Sequence, residues 1–140
     1  MIGYEEKALC RKIADTFEIA SKHLVYPPDF IEKWLMSETA VKIYEKDFNE
    51  IAQSPLYIYN SLIKEKRIEM LNEQTVEEYP MVMYWTGYML TYMGFLCEIA
   101  PEHLWKKYDV IRIAEAYETL HTVSIQRAIE EINEEFLRLS

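Results

Sequence analysis

Between Tyr79 and Cys97 the chain runs for 19 residues without a charged side chain. As a helix, a stretch of that length presents an apolar surface in every direction and has to be enclosed on all sides. Either a bilayer or the rest of the protein can enclose it. About 20 apolar residues cross a membrane as a helix. This stretch, however, holds Pro80, Thr86, Thr91, two glycines and four tyrosines, and its flanks are Glu77, Glu78 and Glu98, with no lysine or arginine to set an orientation. The expectation is a buried central helix from about Val76 to Ile99, with no membrane insertion.

The remaining sequence reads as further helices. Three glycines in 140 residues are too few for the many tight turns of a sheet protein, and no useful strand alternation is present. With 50% hydrophobic and 28% charged residues, the chain has material for a real core, and its length fits one domain over residues 1–140. Leu9, Ile13, Phe17 and Ala20 share one face of a first helix over 4–23. After Pro27-Pro28, Asp29 with Glu32 forms a capping-box pattern for a short helix through Trp34 and Leu35. Ser37 is the expected cap of a segment carrying Val41, Tyr44 and Phe48, and Ser54-Pro55 opens another with Leu56, Tyr59, Leu62 and Ile63 on one face. Thr75 with Glu78 is a capping box for the central helix, which Ala100-Pro101 ends. A short helix follows through Leu104 and Trp105, then one capped by Asp109 over Val110 to Leu120. The last is capped by Thr122 or Ser124, with Ile125, Ala128, Ile129, Ile132 and Phe136 as its apolar stripe. The fold expected is all-α, a bundle of six or seven helices around the uncharged one.

Charge narrows the classes of function. The net charge is −9, and it is unevenly placed: residues 1–67 carry 11 acids and 10 bases, residues 68–140 carry 13 acids and 5 bases. The second half repels a phosphate backbone, which excludes ordinary nucleic-acid binding and leaves a solvated acidic face or a surface that meets a basic partner. The cluster Lys64, Lys66, Arg67 is accounted for by a helix C-terminus. Cys10 and Cys97 form no CxxC pair, and the expectation is two free, buried thiols in a reducing cytosol. The first residues lack the basic start and apolar run of a signal peptide, so the location expected is cytoplasmic.

Catalytic patterns are sparse. There is no Gly-rich phosphate loop, GxSxG elbow or HExxH. Glu118-x-x-His121 has the spacing with which helical di-iron proteins hold a metal, but no second copy accompanies it. His121 is instead expected to close a helix end. No cofactor, metal or catalytic group is predicted, and the reading is not an enzyme.

The central segment is more informative. Gly87, Thr91 and Gly94 recur at i, i+4 and i+7, leaving a stripe almost without side chain that another backbone can approach, in this chain or in a homodimer. Trp85, Tyr88, Tyr92 and Phe95 flank it, each an apolar body suited to contact, the tyrosines and the tryptophan with a polar tip.

The run Tyr84-Trp85-Thr86-Gly87-Tyr88 with Tyr92, then Tyr117 and Leu120-His121-Thr122, then Ala128-Ile129-Glu130, resembles a family of small uncharacterised helical proteins from Gram-positive bacteria, encoded beside an ADP-ribosyltransferase-like toxin. The match covers mainly residues 80–132, with a vaguer similarity from Phe30 to Lys64. The family tends to have an acid and a proline after the His-Thr pair where this chain has Val123-Ser124, and the first helix is an extension. The resemblance implies an antitoxin or accessory role. On that basis the function expected is an antitoxin or immunity component, a protein that binds and blocks a protein partner with a basic cleft, through Tyr88, Tyr92, Glu115, Tyr117, Glu118 and His121. The alternatives are an acidic mimic of nucleic acid of the phage-inhibitor type, and a small-ligand binder or enzyme with the aromatic segment as a pocket wall.

Overall fold

A computed structural model describes residues 2–72 and 79–138. Its elements are α1 (Tyr4–Lys22), α2 (Pro27–Leu35), α3 (Glu38–Tyr44), α4 (Phe48–Ile51), α5 (Pro55–Glu65), α6 (Pro80–Cys97), α7 (Pro101–Lys107), α8 (Val110–Glu115), α9 (Tyr117–Leu120) and α10 (Ile125–Glu135). The fold is all-α, with two isolated β-bridges, Val25 to Met70 and Tyr108 to Leu137. These ten helices among the described residues exceed the six or seven expected, partly because two segments that read as continuous are broken. Lys46, left-handed at φ 58°, separates α3 from α4, and Ala116 divides α8 from α9.

The uncharged segment is the hub. No helix among the described residues is long and apolar enough to cross a membrane. α6 buries the side that carries Met83, Thr86, Gly87, Leu90 and Met93 against the protein, while Met81 is exposed and Tyr84, Trp85 and Tyr88 are half-buried, so the expected enclosure on all sides is not complete. Its most extensive neighbour is α1. The two approach at Gly87, where a Cβ would lie 2.8 Å from Phe17 Cγ and 3.1 Å from the Ile13 carbonyl oxygen. Of the two neighbours the stripe could take, α1 of the same chain occupies it at Gly87. At its other end Gly94 faces the Ile99 carbonyl, Leu104 and Tyr44. The gap beside Gly94 is about 20 Å³, room for a single water and no ligand. Around this axis one continuous core includes Phe17, Phe30, Trp34, Leu90 and Met93 and extends to Ile132 and Phe136. Phe17 meets Phe30 and Trp34 edge to face, at centroid distances of 4.9 and 5.9 Å.

Four expected caps are in place: Ser37 accepts from the Ala40 N–H, Ser54 from Tyr57, Asp109 from Arg112, and Ser124, rather than Thr122, from Arg127. Asp29 differs. Pro27 and Pro28 occupy the first turn of α2, where a missing N–H costs nothing. Asp29, already inside the helix, accepts instead from the Glu69 N–H at 2.7 Å and from Lys33 at 2.8 Å. With the bonds from Tyr26 N–H to Glu69 and from Leu71 N–H to Leu24, this pins residues 69–71 beside the start of α2. Pro80 opens α6; the Thr75 and Glu78 capping box lies outside the described residues. Cys10 is buried and its thiol pKa is pushed up to about 12, by burial first, so it is inert as a nucleophile. Cys97 is exposed, a correction to the expected burial. It ends α6 beside Glu98, whose left-handed backbone (φ 53°) turns the chain back on the helix end, where the Ile99 N–H donates to the Gly94 carbonyl.

A second kind of cap comes from another helix. The Glu65 carboxylate accepts from the backbone N–H of Glu38 and Thr39 at 2.7 and 3.1 Å and from the Thr39 hydroxyl at 2.8 Å, tying the end of α5 to the start of α3. Partial burial works against its charge, but these bonds outweigh it and hold the carboxyl below the usual carboxylate range. Because the folded-state value is the lower one, the stabilisation is complete above the ordinary glutamate range. It is lost as pH falls through the depressed value. Glu65→Gln is expected to cost about 1 kcal/mol at pH 7, the low end for a charged hydrogen-bond set because Glu65 is exposed. Urea titrations of parent and variant should differ by that amount at neutral pH and converge on acidification.

Candidate functional site

The residues around Tyr117 separate two open grooves. α9 is one turn long and packs on α6, so the Tyr117 ring is held edge to face with Trp85 at 5.8 Å and stacked on His121 at 4.1 Å. The His121 ring in turn places Nδ1 2.6 Å from the Tyr117 carbonyl oxygen, closing the helix end as its spacing predicts. This makes a rigid ridge. On one side lies a groove of about 430 Å³ lined by Glu18, Tyr84, Trp85, Tyr88 and His121, with α1, α6 and the start of α10 as its walls. On the other lies a groove of about 440 Å³ lined by Tyr26, Pro27, Val82, Ile111, Glu115 and Glu118, between α2, α6 and α8. Both have the size of a small-ligand or side-chain pocket. Tyr117 borders both.

Five of the six residues expected at a contact surface therefore come together: Tyr88 and His121 in the first groove, Glu115 and Glu118 in the second, and Tyr117 between them. Tyr92 does not join them. Its ring is buried and stacks on Tyr88 at 6.1 Å, so it supports Tyr88 from behind. Sequence reasoning missed Glu18 and the Tyr26-Pro27 wall. No periodicity within α1 or α2 tells which face of α6 they will border.

Electrostatically the two grooves are alike. The charged side chains among the described residues that line them are Glu18, Glu115 and Glu118, all carboxylates. Lysines line other depressions, Lys42 and Lys64 between α3 and α5 and Lys64 and Lys66 at the end of α5. Glu18, Glu115 and Glu118 form no ion pair among the described residues, while on α10 Arg127 lies 3.7 and 3.5 Å from Glu130 and Glu131. Burial, and then the negative charge of Asp15, raises the pKa of the Tyr84 hydroxyl, and burial does the same for Tyr88. Both hydroxyls stay protonated near neutral pH and can donate hydrogen bonds.

Glu118 and His121 do not form a metal centre: among the described residues no three histidine, cysteine, aspartate or glutamate side chains gather in a set that could hold an ion. The site presents aromatic faces and tyrosine hydroxyls beside carboxylates that form no ion pair among the described residues. No protein family, curated protein or solved structure matches the chain.

Proposed function

We propose that this chain is a non-catalytic interaction protein, an antitoxin or immunity component of the cytosol that binds a basic surface of a protein partner and blocks it. The observation that carries this reading is the pair of aromatic grooves on either side of Tyr117, whose charged lining among the described residues consists of carboxylates that form no ion pair there. Such a face matches a partner that brings positive charge to an apolar contact. The resemblance to the toxin-linked family bears on the same place. The residues that carry it include Trp85, Tyr88, Tyr117 and His121, which line the first groove. Val123-Ser124, where the family pattern changes, leaves α10 capped by Ser124.

The test pairs capture with substitution. The tagged chain is used to retain proteins from its native host at low and at about 0.5 M salt, beside a Glu115→Lys/Glu118→Lys variant checked for intact helicity. The expected result is one stoichiometric partner, held more weakly at high salt. The double variant, in exposed positions that leave the core untouched, should bind it about tenfold more weakly or worse and lose most of the salt dependence. Equal retention by parent and variant at both salts rules out this face as the binding surface.

A further inference from the structure

Among the described residues, four aromatic rings are capped by the protein's own cations. The Arg138 guanidinium lies 4.9 Å from the centroid of Trp105 and that of Arg112 5.0 Å from Phe136, while Lys107 and Lys46 stand 5.3 and 5.4 Å from Tyr108 and Phe95. A cation over a ring face is drawn to the negative face of the π-system. The first groove breaks the pattern. Tyr84, Trp85 and Tyr88 are half-buried and line an open depression, yet among the described residues no lysine or arginine covers any of them.

Carboxylates stand beside these rings instead. Glu18 lines the groove, and Asp15, three residues earlier on α1, acts electrostatically on Tyr84 together with it. Neither has an ion-pair partner among the described residues. Burial, and then the charge of Glu18, raises the Asp15 carboxyl above its ordinary value. Arg11, a turn earlier, also acts electrostatically on Tyr84, more strongly than Glu18 does, and on Tyr88, but it pairs with neither acid among the described residues and does not line the groove. The groove thus has the ring faces and the counter-charge of a cation site.

We propose that the first groove receives an arginine side chain of the protein partner, its guanidinium plane against Trp85 and Tyr88 and its N–H edge toward Glu18. Arginine fits better than lysine because a planar, weakly hydrated guanidinium stacks on one group and donates sideways to another at the same time. Arg138 on Trp105 is the same pairing made within the chain, where the Arg138 Nε–H also donates to the Trp105 carbonyl at 3.0 Å. This inference rests on the partner-binding reading and specifies the chemistry of one contact within it.

The probe is a capped pentapeptide with two arginines, compared with the same peptide carrying citrulline, which keeps the shape and loses the charge. Binding to the full chain is read from the indole N–H resonance of Trp85, assigned by its disappearance in Trp85→Phe, with Trp105 as an internal reference because Arg138 already covers it. The arginine peptide should shift the Trp85 signal saturably, and citrulline should weaken binding about fivefold or more. Glu18→Gln, at a half-buried position, should weaken it about threefold. Equal binding of the two peptides, no response of Trp85, or an unchanged affinity in Glu18→Gln each overturns the proposal. If the peptide fails while Glu115→Lys/Glu118→Lys still releases the captured partner, only the arginine contact is lost. Failure of both experiments removes the interaction reading as well.

Discussion

Gly87→Leu is expected to abolish stable folding or to cost about 3 kcal/mol or more, a large share of the roughly 5–15 kcal/mol that holds a domain together. Even an alanine Cβ at this position would stand 2.8 Å from Phe17 Cγ and 3.1 Å from the Ile13 carbonyl oxygen. The first atom belongs to the root of a ring locked between Phe30 and Trp34, and the second to the α1 backbone, so neither can yield without moving a helix. Gly87→Ala is expected to be milder, about 1–2 kcal/mol destabilising, because the overpacking is partly offset by alanine's better helix propensity. Gly94→Ala is the comparison. Its nearest contact would be 3.3 Å, with the Ile99 carbonyl, and a change within about 1 kcal/mol in either direction is expected. Chemical denaturation of the three variants orders them, and a stable Gly87→Leu would show that α1 and α6 are not held together at this point.

That contact also marks how far the sequence could be read. The uncharged run predicts a hub helix, the spacing of Leu9, Ile13, Phe17 and Ala20 predicts the inner face of α1, and Ser37, Ser54, Asp109 and Ser124 predict caps. All are local signals, set by a few neighbouring residues, and all are found in the structure. The glycine stripe predicts a close approach but not its partner, since a bare helix face accepts α1 or a second copy equally well. Asp29 shows the same boundary. Its capping pattern is satisfied by sequence, yet Pro27 and Pro28 start the helix earlier and its carboxylate serves Glu69, 40 residues away. In the candidate site, Tyr88, Glu115, Tyr117, Glu118 and His121 were legible because they sit on the central helix or on the segment after Asp109. Glu18 was not, because its place beside Trp85 depends on how α1 crosses α6. Tyr92 carries the same residue type and spacing as Tyr88 and is buried only because of what packs over it.

Phe17→Ala should carry a comparable cost, about 3–5 kcal/mol. The ring is fully buried and joins α1 to α2 through Phe30 and Trp34 and to α6 at Gly87. Its removal leaves a void that a glycine on the facing helix cannot fill. Combining the two sites tests the junction directly: in Phe17→Ala/Gly87→Ala the new methyl enters space the ring has vacated, so the double variant should be more stable than the sum of the two losses by about 1–2 kcal/mol. Strict additivity would mean that the two contacts at 3.1 Å which Phe17→Ala keeps, the Ile13 carbonyl and the residue-17 Cβ, and not the ring, set the helix separation. The same cycle bears on the contact face. Glu18 follows Phe17 on α1, and Tyr88 follows Gly87 on α6, so the junction fixes how far the carboxylate stands from the groove's rings. Loosening it in Phe17→Ala should therefore weaken partner binding under conditions where the variant is still fully folded, although Phe17 itself touches no partner. Undiminished binding there would show that the groove's geometry does not depend on this packing.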